Sequence, residues 1–153
     1  TFSRDRAYDR SMCGSRVDPS FSVPRAGLLA RAGWAGGIPS RLGFAEVRNH
    51  LATPKFLELL GSDLFVFHGY AEFYLDSSWV KATPAFNKTL CERFDVPPLE
   101  FDGVNDAVFQ PFDNKGRQHM EYVNDRGTYP DLPFDEMLRT LNEVYGDFET
   151  RFG

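Results

Sequence analysis

Long apolar runs are missing from this chain. No stretch of 18 apolar residues occurs in its 153 positions, so there is no candidate for a membrane-spanning helix. Positive charge is in deficit: 17 Lys and Arg stand against 22 Asp and Glu, a formal net charge of −5. A general nucleic-acid binder needs a basic face, so neither nucleic acid nor a membrane is an expected partner. Cysteine is scarce. Cys13 and Cys91 form neither a disulfide framework nor a metal-ligand pattern, and no metal or other cofactor is expected. The opening residues, "TFSRDRAYDRSMCGSR", are too charged for a secretory signal, which makes a reduced, cytoplasmic protein the expectation.

What is present is a core. Hydrophobic residues make up 42% of the chain and aromatics 15%, and the 15 Phe imply a core filled by large flat side chains. The length fits one domain. Residues 1–20 read as an N-terminal arm or loop, and residues 21–153 as a single domain. "SVPRAGLLARAGWAGGIP" predicts a helix over residues 23–36, with Pro24 in its first turn. Leu28, Leu29, Ala32 and Ala35 are placed on one small apolar face, and Gly36-Gly37 and Pro39 end the helix. Gly27 and Gly33 weaken that helix and imply tight packing on a neighbour. "SRLGFAEV" predicts a strand. "TPKFLELLGS" predicts a short helix capped by Thr53 and closed by Gly61. Two β-rich runs, Leu64 to Leu75 and Trp79 to Ala82, flank a hairpin signal at Asp76-Ser77-Ser78. "NKTLCERF" predicts a turn or two of helix, "LEFDG" a short strand, and "HMEYVNDRG" a last strand or an irregular piece. "PFDEMLRTLNEVYGDFETRF" predicts a closing amphipathic helix capped by Asp135 or the residues just before it. The fold class expected is α+β.

Read residue by residue, the chemistry is sparse. Ser22 heads a helix, where unpaired N–H groups and the macrodipole favour negative charge. A nucleophile there gains anion stabilisation, yet serine is also a preferred helix cap, and the local sequence favours the cap. His68 sits mid-strand among aromatics, a setting more common for a packed, hydrogen-bonded core histidine than for a base. Cys13 in "SMCGS" reads as an incidental thiol, and Cys91 as a small buried one.

The order of these pieces carries more. Ser22 is followed by Ala26 and then by Gly37-Ile38-Pro39-Ser40-Arg41. His68-Gly69-Tyr70-Ala71-Glu72 comes next, and Trp79-Val80 and Pro84 follow the hairpin. This pattern resembles the transglutaminase-like superfamily, a branch of the papain-like cysteine enzymes. In that family a cysteine opens a helix, Gly-Ile-Pro-x-Arg follows about fifteen residues later, and a histidine heads His-x-Trp-x-Glu. A Trp-Val then follows on the next strand, with an aspartate four residues after the Trp and before a Pro. "TPAFNKTLCERF" and "PLEFDG" resemble a bacterial subgroup. The resemblance implies a papain-like core, a nucleophile-position helix packed on an antiparallel sheet, and a catalytic set of Ser22, His68 and Thr83. It requires no metal.

Two positions depart from the family pattern. Residue 22 is Ser rather than Cys, and residue 83 is Thr rather than Asp. A thiol ionises far more readily than a hydroxyl, which needs a general base acting during attack. Ser22 therefore has three readings: a natural serine nucleophile, an inactive descendant, or a Cys→Ser replacement introduced to disable the enzyme. Thr83 can orient an imidazole but cannot supply full negative charge, and Asn87 or Asp102 are alternatives for that role. The expectation is acyl transfer or amide hydrolysis on a carboxamide in a peptide, protein or small amide, with an amine as a possible acceptor. The alternative is a catalytically dead papain-like domain that binds a protein or ligand in the old cleft.

Overall fold

The computed structural model describes residues 22–84 and 88–146. The expected arm over 1–20, Cys13, Asn87 and the end of the closing helix lie outside them. The chain is mixed α and β. Its elements run α1 (Ser22–Ala35), β1 (Ser40–Asn49), α2 (Pro54–Leu60), β2 (Leu64–Leu75), β3 (Ser78–Ala82), α3 (Lys88–Phe94), β4 (Met120–Tyr129) and α4 (Phe134–Tyr145). The strands form one antiparallel sheet in the order β3-β2-β1-β4. Among the described residues no helix is long and apolar enough to cross a membrane.

Local chemistry explains most boundaries. Asp76 and Ser77 both have positive φ, 44° and 68°, and Leu75 pairs with Ser78. That is the two-residue hairpin whose turn matches strand twist. Thr53 accepts from Phe56 N–H at 3.3 Å to start α2, with Pro54 in its first turn. Gly61, at φ 71°, ends it by donating to Leu57 O at 2.7 Å. At the end of α1, Ile38 N–H reaches Gly33 O at 2.9 Å while Gly37 takes φ 78°.

Two details differ from expectation. The buried residues of α1 are Ala26, Gly27, Ala30 and Gly33, not the leucine-bearing stripe, and Leu28 is 59% exposed. The helix lies too close to the sheet for larger side chains: a Cβ on Gly33 would stand 2.5 Å from Phe73 Cε1. "LEFDG" is not a strand. Asp102 Oδ1 instead accepts from the N–H groups of Val104 and Asn105, both at 2.8 Å, drawing the backbone into a turn. As expected for one of the two alternatives, the cap of α4 falls just before Asp135. Pro133 holds that position without a side-chain bond, and Asp135 and Glu136 sit in the first turn, where the dipole favours them.

The sheet has two differently filled faces. Under α1 lie Leu42, Phe44, Phe67, Ala71, Phe73 and Ala82. On the other face Ala45, Val47, Tyr70 and Met120 pack with Phe109 and Tyr122. Register shifts between Ala45 and Val47, and between Glu46 and Val47 against β4, change which residues face which side. Tyr145 ties α4 to the start of β2: its hydroxyl donates to Leu64 O at 2.7 Å and accepts from Val66 N–H at 2.9 Å.

Gly43 is the tightest point of the second face. A Cβ there would lie 2.3 Å from Cε2 and Cζ of Tyr70, whose hydroxyl is held by Asp125 at 2.8 Å. Overpacking against a ring fixed at its far end costs about 3 kcal/mol. Gly37→Ala meets nothing within 4 Å and bears only the backbone penalty of its φ, about 1 kcal/mol. Urea denaturation is expected to rank Gly43→Ala well below Gly37→Ala in stability, and equal losses would contradict the account of this contact.

Candidate functional site

Ser22 is the first residue of α1, and its Oγ accepts a hydrogen bond from Gly69 N–H at 2.9 Å. The bond is possible because Gly69 has no side chain. A Cβ there would sit 3.0 Å from Val23 Cα and 3.3 Å from Ser22 O. β3 pairs with β2 only from Ala71 onward, so the Gly69 N–H on that side is left for a side chain to satisfy. Ser22 is thus held one residue along the strand from His68. No hydrogen bond joins Ser22 to His68 among the described residues.

His68 is buried, 8% exposed, and its ring lies against Phe109 with centroids 5.0 Å apart. Tyr122 stands edge-on to it at 6.4 Å. These contacts place the ring on the face away from the body of α1. Its Nε2 has no hydrogen-bond partner among the described residues. Burial lowers the imidazole pKa from 6.5 to about 4, so at neutral pH the ring is uncharged and keeps a lone pair on one nitrogen.

Thr83 is buried, and its hydroxyl lies 3.3 Å from Tyr122 Oη rather than on the His68 ring. The same phenol oxygen accepts from Phe109 N–H at 3.3 Å. Burial pushes the Tyr122 phenol above its ordinary range, against the pull of those two bonds. Thr83 and His68 therefore meet through Tyr122. Asp102 is occupied in its own turn by Val104 and Asn105, which hold its pKa down to about 2, and no hydrogen bond connects it to His68. Cys91 is buried, and burial followed by the Glu92 charge raises its thiol pKa, the environment of an inert cysteine.

A charged frame surrounds this cluster. Arg41 and Glu72, the charged ends of the two motifs, bond each other at 2.5 Å, and the Arg41 guanidinium also lies 4.0 Å from the Trp79 ring centroid. Lys81 bonds Asp125 at 2.5 Å, and Asp125 accepts from Tyr70. Tyr122, Phe109 and Asp125 were not legible as site residues. Tyr122 and Asp125 lie in "HMEYVNDRG", and strict strand alternation over that segment would have put Tyr122 beside Met120 on one face. The later bulge that brings Asp125 round to it leaves no mark in the composition.

Neither a family model, nor a curated protein, nor a solved structure matches the chain. Among the described residues no group of three His, Cys, Asp or Glu is placed to hold a metal ion.

The depressed His68 pKa ties stability to pH. Above 6.5 neither folded nor unfolded chain binds the proton, and the neutral ring is fully compatible with the fold. Between 6.5 and about 4 only the unfolded chain does so, and stability falls. At about 1.4 kcal/mol per unit the loss is roughly 3 kcal/mol. His68→Phe keeps an aromatic against Phe109 and removes the titration. Urea midpoints at about pH 7 and about pH 4.5 are expected to converge in this variant relative to the parent chain; an unchanged pH dependence would remove His68 as its source.

Proposed function

We propose that this chain is a transglutaminase-like domain of acyl-transfer type, with residue 22 as its reacting position and His68 as its proton carrier. The observation that carries the reading is the Ser22 hydroxyl at the start of α1, accepting the Gly69 N–H one residue from His68. A donor aimed at that oxygen and the N-terminal end of a helix both stabilise negative charge there. The Arg41–Glu72 bond supports the same reading, because it joins the Gly-Ile-Pro-x-Arg segment to the histidine motif.

In this reading Ser22 Oγ attacks a carboxamide carbonyl as its proton passes to the neutral His68 imidazole. The tetrahedral adduct collapses, the C–N bond breaks, and His68 returns the proton to the departing amine. Water or a second amine then attacks the ester, giving hydrolysis or amide exchange. The substrate class is a peptide, a protein side-chain carboxamide or a small amide. The papain-like core and a cytoplasmic location belong to this proposal. Thr83 acts on His68 through Tyr122, with which it shares a hydrogen bond.

One observation favours a second reading. Ser22 is satisfied by Gly69 and has no bond to His68, the arrangement of a structural serine that ties helix to strand in a domain that binds without reacting. A fluorophosphonate probe separates the two. Acyl transfer predicts an adduct mapped by mass spectrometry to Ser22 and lost in His68→Ala. A chain that stays unlabelled, or is labelled elsewhere, supports the binding domain.

A further inference from the structure

Three strands, with the residue that follows β3, contribute three pairs of residues to the face that holds His68. β2 supplies His68 and, two positions on, Tyr70. β3 supplies Lys81, and Thr83, two positions on, follows just past the end of that strand. β4 supplies Tyr122 and Asp125. The last pair are three positions apart, yet share the face, because the register shift opposite Glu46 and Val47 lets Val123 bulge outward, 46% exposed. One member of each pair packs in the His68 cluster, and the other belongs to a second, charged cluster. There Tyr70 Oη donates to Asp125 at 2.8 Å, Lys81 Nζ donates to Asp125 at 2.5 Å, and Lys81 Nζ lies 4.8 Å from the centre of the Tyr70 ring.

This second cluster crosses the whole sheet. Tyr70 passes over β1 at Gly43, the one place where a missing side chain leaves room, and reaches Asp125 on the far strand. Asp125 also accepts from Gly127 N–H at 2.8 Å, which fixes the carboxylate to its own strand. Lys81 N–H donates to Asp106 at 2.8 Å, and the next residues bridge to Ala107. The segment bearing Phe109, which contacts His68, is thereby tied to the same strand as Lys81.

We infer that Lys81, Tyr70 and Asp125 are positioning residues: a strap across the sheet that holds Thr83, Tyr122 and Phe109 around the His68 ring. The strap touches neither Ser22 nor the imidazole and acts only by fixing three strands at the level just before the cluster. The inference rests on His68 being the proton carrier of the site. Its test reads the ring directly and needs no turnover, so a chain that transfers no acyl group still answers it.

The test is an NMR titration of the His68 ring in Asp125→Asn. Loss of a nearby negative charge, acting alone, lowers an imidazole pKa. Loosening of the strap admits water to the ring and raises the pKa from about 4 towards 6.5. The strap predicts a rise of roughly one unit or more. Tyr70→Phe removes one hydroxyl and no charge, and a smaller rise is expected. Lys115→Met, which breaks the surface pair with Asp95 at 3.1 Å, is expected to leave His68 unmoved. A His68 pKa that stays or falls in Asp125→Asn overturns the inference, as does an equal rise in Lys115→Met. If Asp125→Asn does not fold, Tyr70→Phe decides: a rise supports the strap and no change ends it.

Discussion

The backbone contact at Gly69 is the constraint on which the arrangement depends. The first turn of α1 rests on β2 there, so closely that an added Cβ would lie 3.0 Å from Val23 Cα and 3.2 Å from Ala26 Cβ. The helix is pinned again near its other end, where Gly33 fits against Phe73 and Ser40, and Ser40 Oγ donates to Ala30 O at 2.7 Å. A glycine on the strand at one end and a glycine on the helix at the other set the height of α1 above the sheet. That height lets the Ser22 hydroxyl reach the Gly69 N–H, and it forces the interface to be built from Ala26, Gly27, Ala30 and Gly33. Burial of such small side chains contributes little per residue; the close approach gains its stability from dispersion over many atom pairs.

The second face is organised by polar groups whose partners come from distant parts of the chain. Glu72 is nearly buried, and leaving its carboxylate unpaired there would be costly, so Arg41 must remain on it. Asp125 joins Tyr70 and Lys81, with burial opposing its ionisation and the Lys81 and backbone bonds more than offsetting that. His68 has no such partner among the described residues. Its ring is surrounded by Phe109 and Tyr122, and burial alone keeps it neutral. The face thus sets a neutral imidazole beside well-compensated charges.

Local signals in the chain were read correctly where physics is local. The Asp76-Ser77 turn, the Thr53 cap and the Gly61 stop follow from what each residue can do with its own neighbours. The burial of His68 followed from its aromatic surroundings. The buried stripe of α1 was misread because hydrophobicity favoured Leu28 and Leu29, whereas the sheet selects by size. "LEFDG" was misread because its apolar residues suggested a strand and the carboxylate of Asp102 captured the backbone first. The partners of Thr83 and His68 were out of reach for another reason. Tyr122 and Phe109 lie far along the chain from them: Tyr122 is placed by its pairing with Val47 across β1, and Phe109 follows the Ala82–Ala107 bridge.

The central claim is that residue 22 and His68 share one electrostatic site, and the pKa of a thiol placed at residue 22 tests it most directly. In Ser22→Cys the new sulfur stands at a helix start and accepts the Gly69 N–H, one strand residue from His68, and in the proposed site its thiolate draws the imidazole into its charged form. Alkylation rates with iodoacetamide as a function of pH give that pKa, with Cys13 and buried Cys91 as internal references. The account predicts a value at least about one unit below the free thiol, near 8.5, and a return towards it when His68→Ala is added. A thiol that titrates like Cys13, with or without His68, would contradict it.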